Sequence, residues 1–381
     1  MKLRGRHYPI SGIARWVLRR MGHIFLALGC LVATAYRPAK SQAADSSGIF
    51  KTSIRISTTV RHWAIIVNHR DEDAWSWAPR IKFNVLGPIT SGSQFSVEFF
   101  MPSGRPWVKY DCRTPEVEAG KIGNLEGGYG IPYNELRAIR EIGTFTFKIQ
   151  MRNELAGTST TAFSGRFNVK KFHVGPDLPK TKENFEYYVD HDWQLPIGYC
   201  WYPRPYRSAD GVDYYDDYAP LFAAFWFKGA TTTERDLAAY LFHDGKEISN
   251  TKLHGHSVND SVINTSVVNS PYEYLLARFE FTNVFAFAQD KGAHPGYYLD
   301  QNPGQYEVKV LRQGQLARVL RFSVGTDGKI ADNGIANANG ILGPRLIFPA
   351  QVMGDTDGTW ESAAWKTEAL YGNPLQGLSL P

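Results

Sequence analysis

Apolar and polar residues alternate along much of the chain. Phe145, Phe147, Ile149 and Met151 are separated by single polar residues, as are Tyr306, Val308 and Val310. A period of two sends successive side chains to opposite faces of an extended strand. The runs are short, and Gly or polar turns break them every 8 to 12 residues or so, which predicts antiparallel β-sandwiches.

The pattern occurs twice. Ala78-Pro79 opens the strand RIKFNVL, then a turn, then QFSVEFFM, then Pro102-Ser103-Gly104. Ala219-Pro220 opens LFAAFWF, then a turn, then DLAAYLF, then His243-Asp244-Gly245. Ala78 to Gly104 and Ala219 to Gly245 are each 26 positions. Later in each half a glycine starts a hairpin, Gly143 before TFTFKIQMR and Gly304 before QYEVKVLR. The second half carries about 20 extra residues near 253–271.

The expected fold is therefore all-β, two tandem immunoglobulin-like antiparallel β-sandwiches with a short C-terminal strand and helix. The first sandwich is placed at 46–174, a linker at 175–189 and the second sandwich at 190–326. Residues 327–381 hold a Gly/Asn-rich stretch, read as too polar to pack, then the strand RLIFPAQVM and a final segment. In that segment Trp360, Ala363, Ala364, Thr367 and Leu370 share one face at helical spacing, before Gly372 and Pro374. This predicts a short amphipathic helix.

The N-terminus has a different character. A basic region ends at Arg19-Arg20 and twelve apolar residues follow, Ile24 to Ala35. Small residues then offer cleavage after Ala35 or, preferred here, after Ala43. This is the order of a secretory signal peptide over 1–43, and the run is too short for the roughly 20 residues of a spanning helix. The mature chain is expected to be exported to the periplasm, the cell surface or the medium, with no transmembrane segment.

Export changes the meaning of the charge. The chain is +5 overall, but residues 1–43 hold eight basic residues and no acidic one. The remainder has 34 basic and 37 acidic residues, net −3. The basic balance belongs to the leader, so no nucleic-acid partner is expected. Aromatic residues make up 14%, which excludes a disordered chain.

Cys112 and Cys200 remain after the leader. In an oxidising compartment two cysteines can pair, here only across the boundary between the two sandwiches. Buried thiols are the alternative.

Candidate chemistry is sparse. The densest stretch is 199–218, where Trp201, Tyr202, Tyr206, Tyr214, Tyr215 and Tyr218 are interleaved with Arg204, Arg207 and aspartates. Trp, Tyr and Arg dominate interface hot spots, and Pro203 and Pro205 favour a loop. These rings are the candidate ligand- or partner-binding residues, with core filling as the alternative for some, Trp201 in particular. His254 and His256 are weak metal candidates, because zinc needs three or four ligands. Asp190-His191-Asp192 concentrates carboxylates, as does the run 210–218, and both suit solvated turns.

No GxSxG, Walker, HExxH or GxGxxG motif is present, and no cofactor is expected. The reading is an exported, non-catalytic binding or structural protein with a protein or glycan partner. The alternative is a carbohydrate-active enzyme or lectin using the loop 199–218.

Overall fold

The computed structural model describes residues 48–380, apart from 68–69, 113, 115, 129–136, 174–184, 203–205, 208–212, 215–219, 230–236, 253–256, 263–269, 288–295, 343–344 and 355. It is mostly β, with 57% in strands and 7% in helix, and its sheets pack into sandwich and half-barrel shapes. Among the described residues no helix is long and apolar enough to cross a membrane.

The first half holds β1 (Arg55–Val67), β2 (Arg70–Leu86), β3 (Ser93–Phe100), β4 (Pro106–Cys112), β5 (Ile122–Gly127), β6 (Gly143–Asn153), β7 (Thr158–His173) and β8 (Phe185–Val189). They form two sheets, ordered β1-β2-β5 and β4-β3-β6-β7-β8. Alternation decides what each strand buries. Phe95, Val97 and Phe99 of β3 and Phe145, Phe147 and Ile149 of β6 point inward. They meet Ile81, Phe83 and Val85 of β2 in one core. Trp77 anchors one end of it, edge-on to Phe145 at 5.0 Å, its indole N–H donating to the Glu141 carbonyl at 2.9 Å.

The second half holds β9 (Ile197–Trp201), β10 (Tyr206–Arg207), β11 (Asp213–Tyr214), β12 (Pro220–Lys228), β13 (Leu237–His243), β14 (Lys246–Asn250), β15 (Ser257–Val262), β16 (Tyr274–Phe285), β17 (Tyr297–Tyr298), β18 (Gly304–Arg312), β19 (Gln315–Val324) and β20 (Leu346–Val352). Among the described residues these build one ten-stranded sheet, β14-β13-β18-β19-β20-β9-β12-β16-β15, with β17 alongside β16. β10 and β11 make a separate two-stranded ribbon.

The pairing order of the first half recurs in the second. β9-β12-β16 corresponds to β1-β2-β5, and β14-β13-β18-β19-β20 to β4-β3-β6-β7-β8. In the second half β20 also pairs with β9, which fuses the two groups into one sheet. In the first half the matching edges, β1 and β8, are bridged by the Thr58 hydroxyl, which donates to the Tyr187 carbonyl at 2.6 Å. The extra length of the second half includes β15.

The strand β12 departs from alternation, and every one of its residues is buried. Leu221, Ala223, Phe225 and Phe227 face the second core with Phe279, Val308 and Leu320. Phe222, Ala224 and Trp226 face the first, with Tyr199 and Trp201 of β9. A strand covered on both faces reads as a continuous apolar run, and LFAAFWF is that run. The two halves thus share a core, with the Arg55 guanidinium 4.5 Å over the fully buried Trp226 ring.

Three segments depart from expectation. Phe185–Val189, assigned above to the linker, pairs with β7 as an edge strand. The Gly/Asn-rich stretch packs after all: Ile330, Ile335 and Ile341 are buried, with a single helical turn at Ile335–Ala338.

The amphipathic helix at the C-terminus is not continuous. Its residues form a 3-10 turn, Ala364–Lys366, and a short Ala369–Gly372 element in which Leu370 and Tyr371 are left-handed at φ 46° and 60°. The reason is tertiary. The Tyr371 hydroxyl donates to the Ile54 carbonyl at 3.1 Å and accepts from the Ile56 N–H at 2.9 Å. Gly165 makes room for it, since a Cβ there would lie 2.9 Å from that of Tyr371. Residues in αL are costly for side chains other than Gly, and burying Leu370 and Tyr371 in the first core offsets that cost.

Candidate functional site

Trp201 ends β9 in the core. It is 7% exposed and stacks on Phe222 at 5.3 Å, with the Arg345 guanidinium 4.7 Å from its ring centroid. Tyr202 is half-buried, and its hydroxyl donates to the Gly328 carbonyl at 3.1 Å. Tyr206 and Tyr214 are cross-strand partners in the β10–β11 ribbon. Their side chains, and Tyr215 and Tyr218 entirely, lie outside the described residues, as do His254 and His256. Among the described residues no three His, Cys, Asp or Glu side chains gather as a metal site would need.

Cys112 and Cys200 are free thiols, one in each core. Burial, with Asp111 adding to it, pushes the Cys112 thiol up to about 12. Both behave as small buried hydrophobes.

Of the carboxylates at Asp190-His191-Asp192, Asp192 is buried and Asp190 half-buried. Asp192 Oδ1 accepts from the Lys228 ammonium at 2.7 Å and the Tyr274 hydroxyl at 2.6 Å, and its Oδ2 accepts from the Glu361 N–H at 2.7 Å. The Lys228 ammonium also donates to the Thr359 carbonyl at 2.9 Å. The Lys228 N–H donates to Asp357 Oδ1 at 2.7 Å. Asp357 pairs in turn with the fully buried Arg318, whose Nη2 donates to the Trp226 carbonyl at 2.6 Å. Arg312 Nη1 donates to the Lys228 and Thr356 carbonyls at 2.8 and 2.6 Å. These two linked clusters tie β12, β16, β18, β19 and the C-terminal segment together. Buried charges persist only when paired, and each of these has a partner of opposite sign, although the Arg318 Nε–H has no acceptor among the described residues.

His191 is fully buried on the same turn. Its Nε2–H donates to the Ile56 carbonyl at 2.8 Å, and Nδ1 accepts from the Gln194 amide at 3.1 Å. Burial, with Arg55 nearby, lowers its pKa to about 4 against the pull of the Ile56 carbonyl and Asp190. A second proton would also face the Gln194 donor. Near pH 6.5 the unfolded imidazole takes up a proton that the folded one refuses until about pH 4. Stability is therefore full above that window and falls as pH drops through it, by about 3 kcal/mol at pH 4. Urea melts at pH 7 and pH 4.5 check this, and His191→Gln is expected to flatten the dependence.

Beside this junction lies a cleft of about 350 Å³, within the range of roughly 300–1,000 Å³ typical of small-molecule sites. Arg166, Asn168 and Lys170 line it from alternate positions of β7, so all three project from one face of the strand. Asp190, Glu361, Lys366 and Glu368 also line it, with Trp193, Ala363 and Ala364 among its apolar residues. Arg166 clamps Glu368 through Nε at 3.3 Å and Nη2 at 3.1 Å. Lys170 pairs with Asp190. Burial favours the neutral Asp190 carboxyl, but the Lys170 ammonium, the Asp192 N–H and Lys228 outweigh it and hold its pKa below the ordinary value.

The cleft escaped sequence reasoning because its walls come from β7, the turn at 190 and the segment 361–371. The signal that was present is the row Arg166, Asn168, Lys170 on a strand whose other face is Phe167 and Val169.

No family model matches the chain, and no curated protein matches it. One solved structure, described as an anti-sigma factor domain-containing protein, aligns with 75% of this chain and 100% of its own length at 10% identity. Its TM-score of 0.14 carries no argument about fold or function.

Proposed function

We propose that the chain is an exported, non-catalytic binding protein built of two tandem immunoglobulin-like β-sandwich modules. The support for the immunoglobulin-like part is the pairing order. In the first half strands one, two and five lie in one sheet and four, three, six, seven and eight in the other, and the second half repeats that pairing order within one continuous sheet. The first half differs from the constant-type arrangement in the sheet that takes the fourth strand and in an added eighth strand at the edge.

The observation that carries the binding reading is β12, buried on both faces between the two cores. With Lys228 and Arg318 spent on Asp192 and Asp357, it holds the modules in one fixed geometry. Charged groups at the junction serve each other, which suits a rigid scaffold presenting surfaces to a protein or glycan. The stretch carrying Tyr206, Tyr214, Tyr215 and Tyr218 is the surface proposed for that partner.

Export rests on the leader. N-terminal sequencing of the protein recovered outside the cytoplasm is expected to begin at Ala44. Recovery of an intact Met1 in the cytoplasm would contradict it.

A further inference from the structure

We propose that the cleft on β7 is a binding site for a neutral, polyhydroxylated ligand, a sugar unit of a glycan. This deepens the binding-protein reading above by naming a ligand class, and it rests on that reading.

The charges in the cleft decide the class. Arg166, Lys170 and Lys366 face Asp190, Glu361 and Glu368, so the lining is balanced. A phosphate or a carboxylate would meet three acidic groups, and a cation three basic ones. The best-placed ions are already paired, Arg166 with Glu368 and Lys170 with Asp190. A charged ligand approaching either member of a pair would meet that member's like-charged partner beside it. A hydroxyl group would not, because it donates and accepts at once. A paired carboxylate keeps lone pairs to spare, and a paired ammonium keeps N–H groups. Lys170 in its pair with Asp190 thus offers both kinds of partner side by side.

Asn168 adds an amide that also donates and accepts, between Arg166 and Lys170 on the same strand face. The Thr144 and Thr367 hydroxyls extend the set. Ala363, Ala364 and Trp193 supply the apolar patch that the C–H face of a sugar ring needs. Few precisely placed polar groups on a partly apolar wall is the usual make-up of a small-molecule site.

Titration calorimetry on the chain lacking its leader tests the idea. The probes are glucose, galactose, mannose and N-acetylglucosamine, with glucuronate, glucosamine, inorganic phosphate and glycine as charged comparisons. At least one neutral sugar is expected to bind more tightly than every charged probe. Asn168→Ala should weaken that binding about three- to tenfold, the loss of one or two hydrogen bonds. Ala363→Trp, which fills the cleft from an exposed position, should abolish it. Neither should lower the melting temperature by more than a degree or two.

The proposal fails if no neutral sugar binds, or if a charged probe binds best. It also fails if sugar binding survives both substitutions. If that surviving binding is lost in Tyr206→Ala or Tyr214→Ala, the binding-protein reading stands and only the cleft is excluded.

Discussion

Replacing Asp357 by alanine is expected to destabilise the fold by about 3–5 kcal/mol, the usual cost of removing one partner of a buried ion pair. Arg318 is fully buried, and Asp357 is its counter-ion. Arg312 lies 3.5 Å from the same carboxylate. Asp357→Ala would leave the Arg318 guanidinium in a low-dielectric interior without its counter-ion and would remove the carboxylate beside Arg312. It would also strip the Lys228 N–H of its acceptor. Urea denaturation measures the loss.

Should the single variant fail to fold, Arg318→Met combined with Asp357→Leu resolves the matter. Replacing a whole buried pair with apolar residues of similar volume is far less costly than breaking it. The double variant is therefore expected to be more stable than Asp357→Ala alone. Equal or greater damage in the double variant would mean that the charges themselves, and not their pairing, hold the junction.

Trp226→Ala is the second large effect, about 3–5 kcal/mol for a buried aromatic truncated to alanine. The ring is fully buried in the first core, although its strand belongs to the second half's sheet. Its loss opens a cavity between the halves and removes the surface under Arg55. Hydrogen exchange should show protection falling together in β3 and β6 of the first half and in β13 and β18 of the second. A fall confined to the second half would mean that the ring stabilises only its own sheet.

The residues explain what was legible in the sequence. Phe145, Phe147 and Ile149 alternate and are buried, and their strand lies where the alternation put it. Local turns and a two-residue period are short-range facts, so β-rich structure can be read directly. The run LFAAFWF is also a local signal, of a strand covered on both faces, but nothing in it says what covers the second face. That cover comes from residues such as Arg55, far away in sequence.

The junction was hidden for the same reason. Asp192 looks like a turn residue until Lys228, Tyr274 and Glu361 converge on it from 36, 82 and 169 positions away. Lys228 and Arg318 inside apolar strands were the available hint, since a buried cation implies a buried anion. At the C-terminus the helical spacing of Ala363, Ala364 and Leu370 was real. A helix that short is marginal without tertiary support, and here tertiary contacts work against it. Tyr371 bonds β1 more than 300 positions away and pulls the backbone out of helical geometry.

The central claim is that the two modules form one rigid body, held by the shared core at β12 and the paired charges around Lys228. Differential scanning calorimetry of residues 44–381 tests it most directly. The account predicts a single transition whose calorimetric and van't Hoff enthalpies agree, the signature of one cooperative unit. Two resolved transitions, or a van't Hoff enthalpy near half the calorimetric one, would mean that the modules unfold independently, and would contradict it.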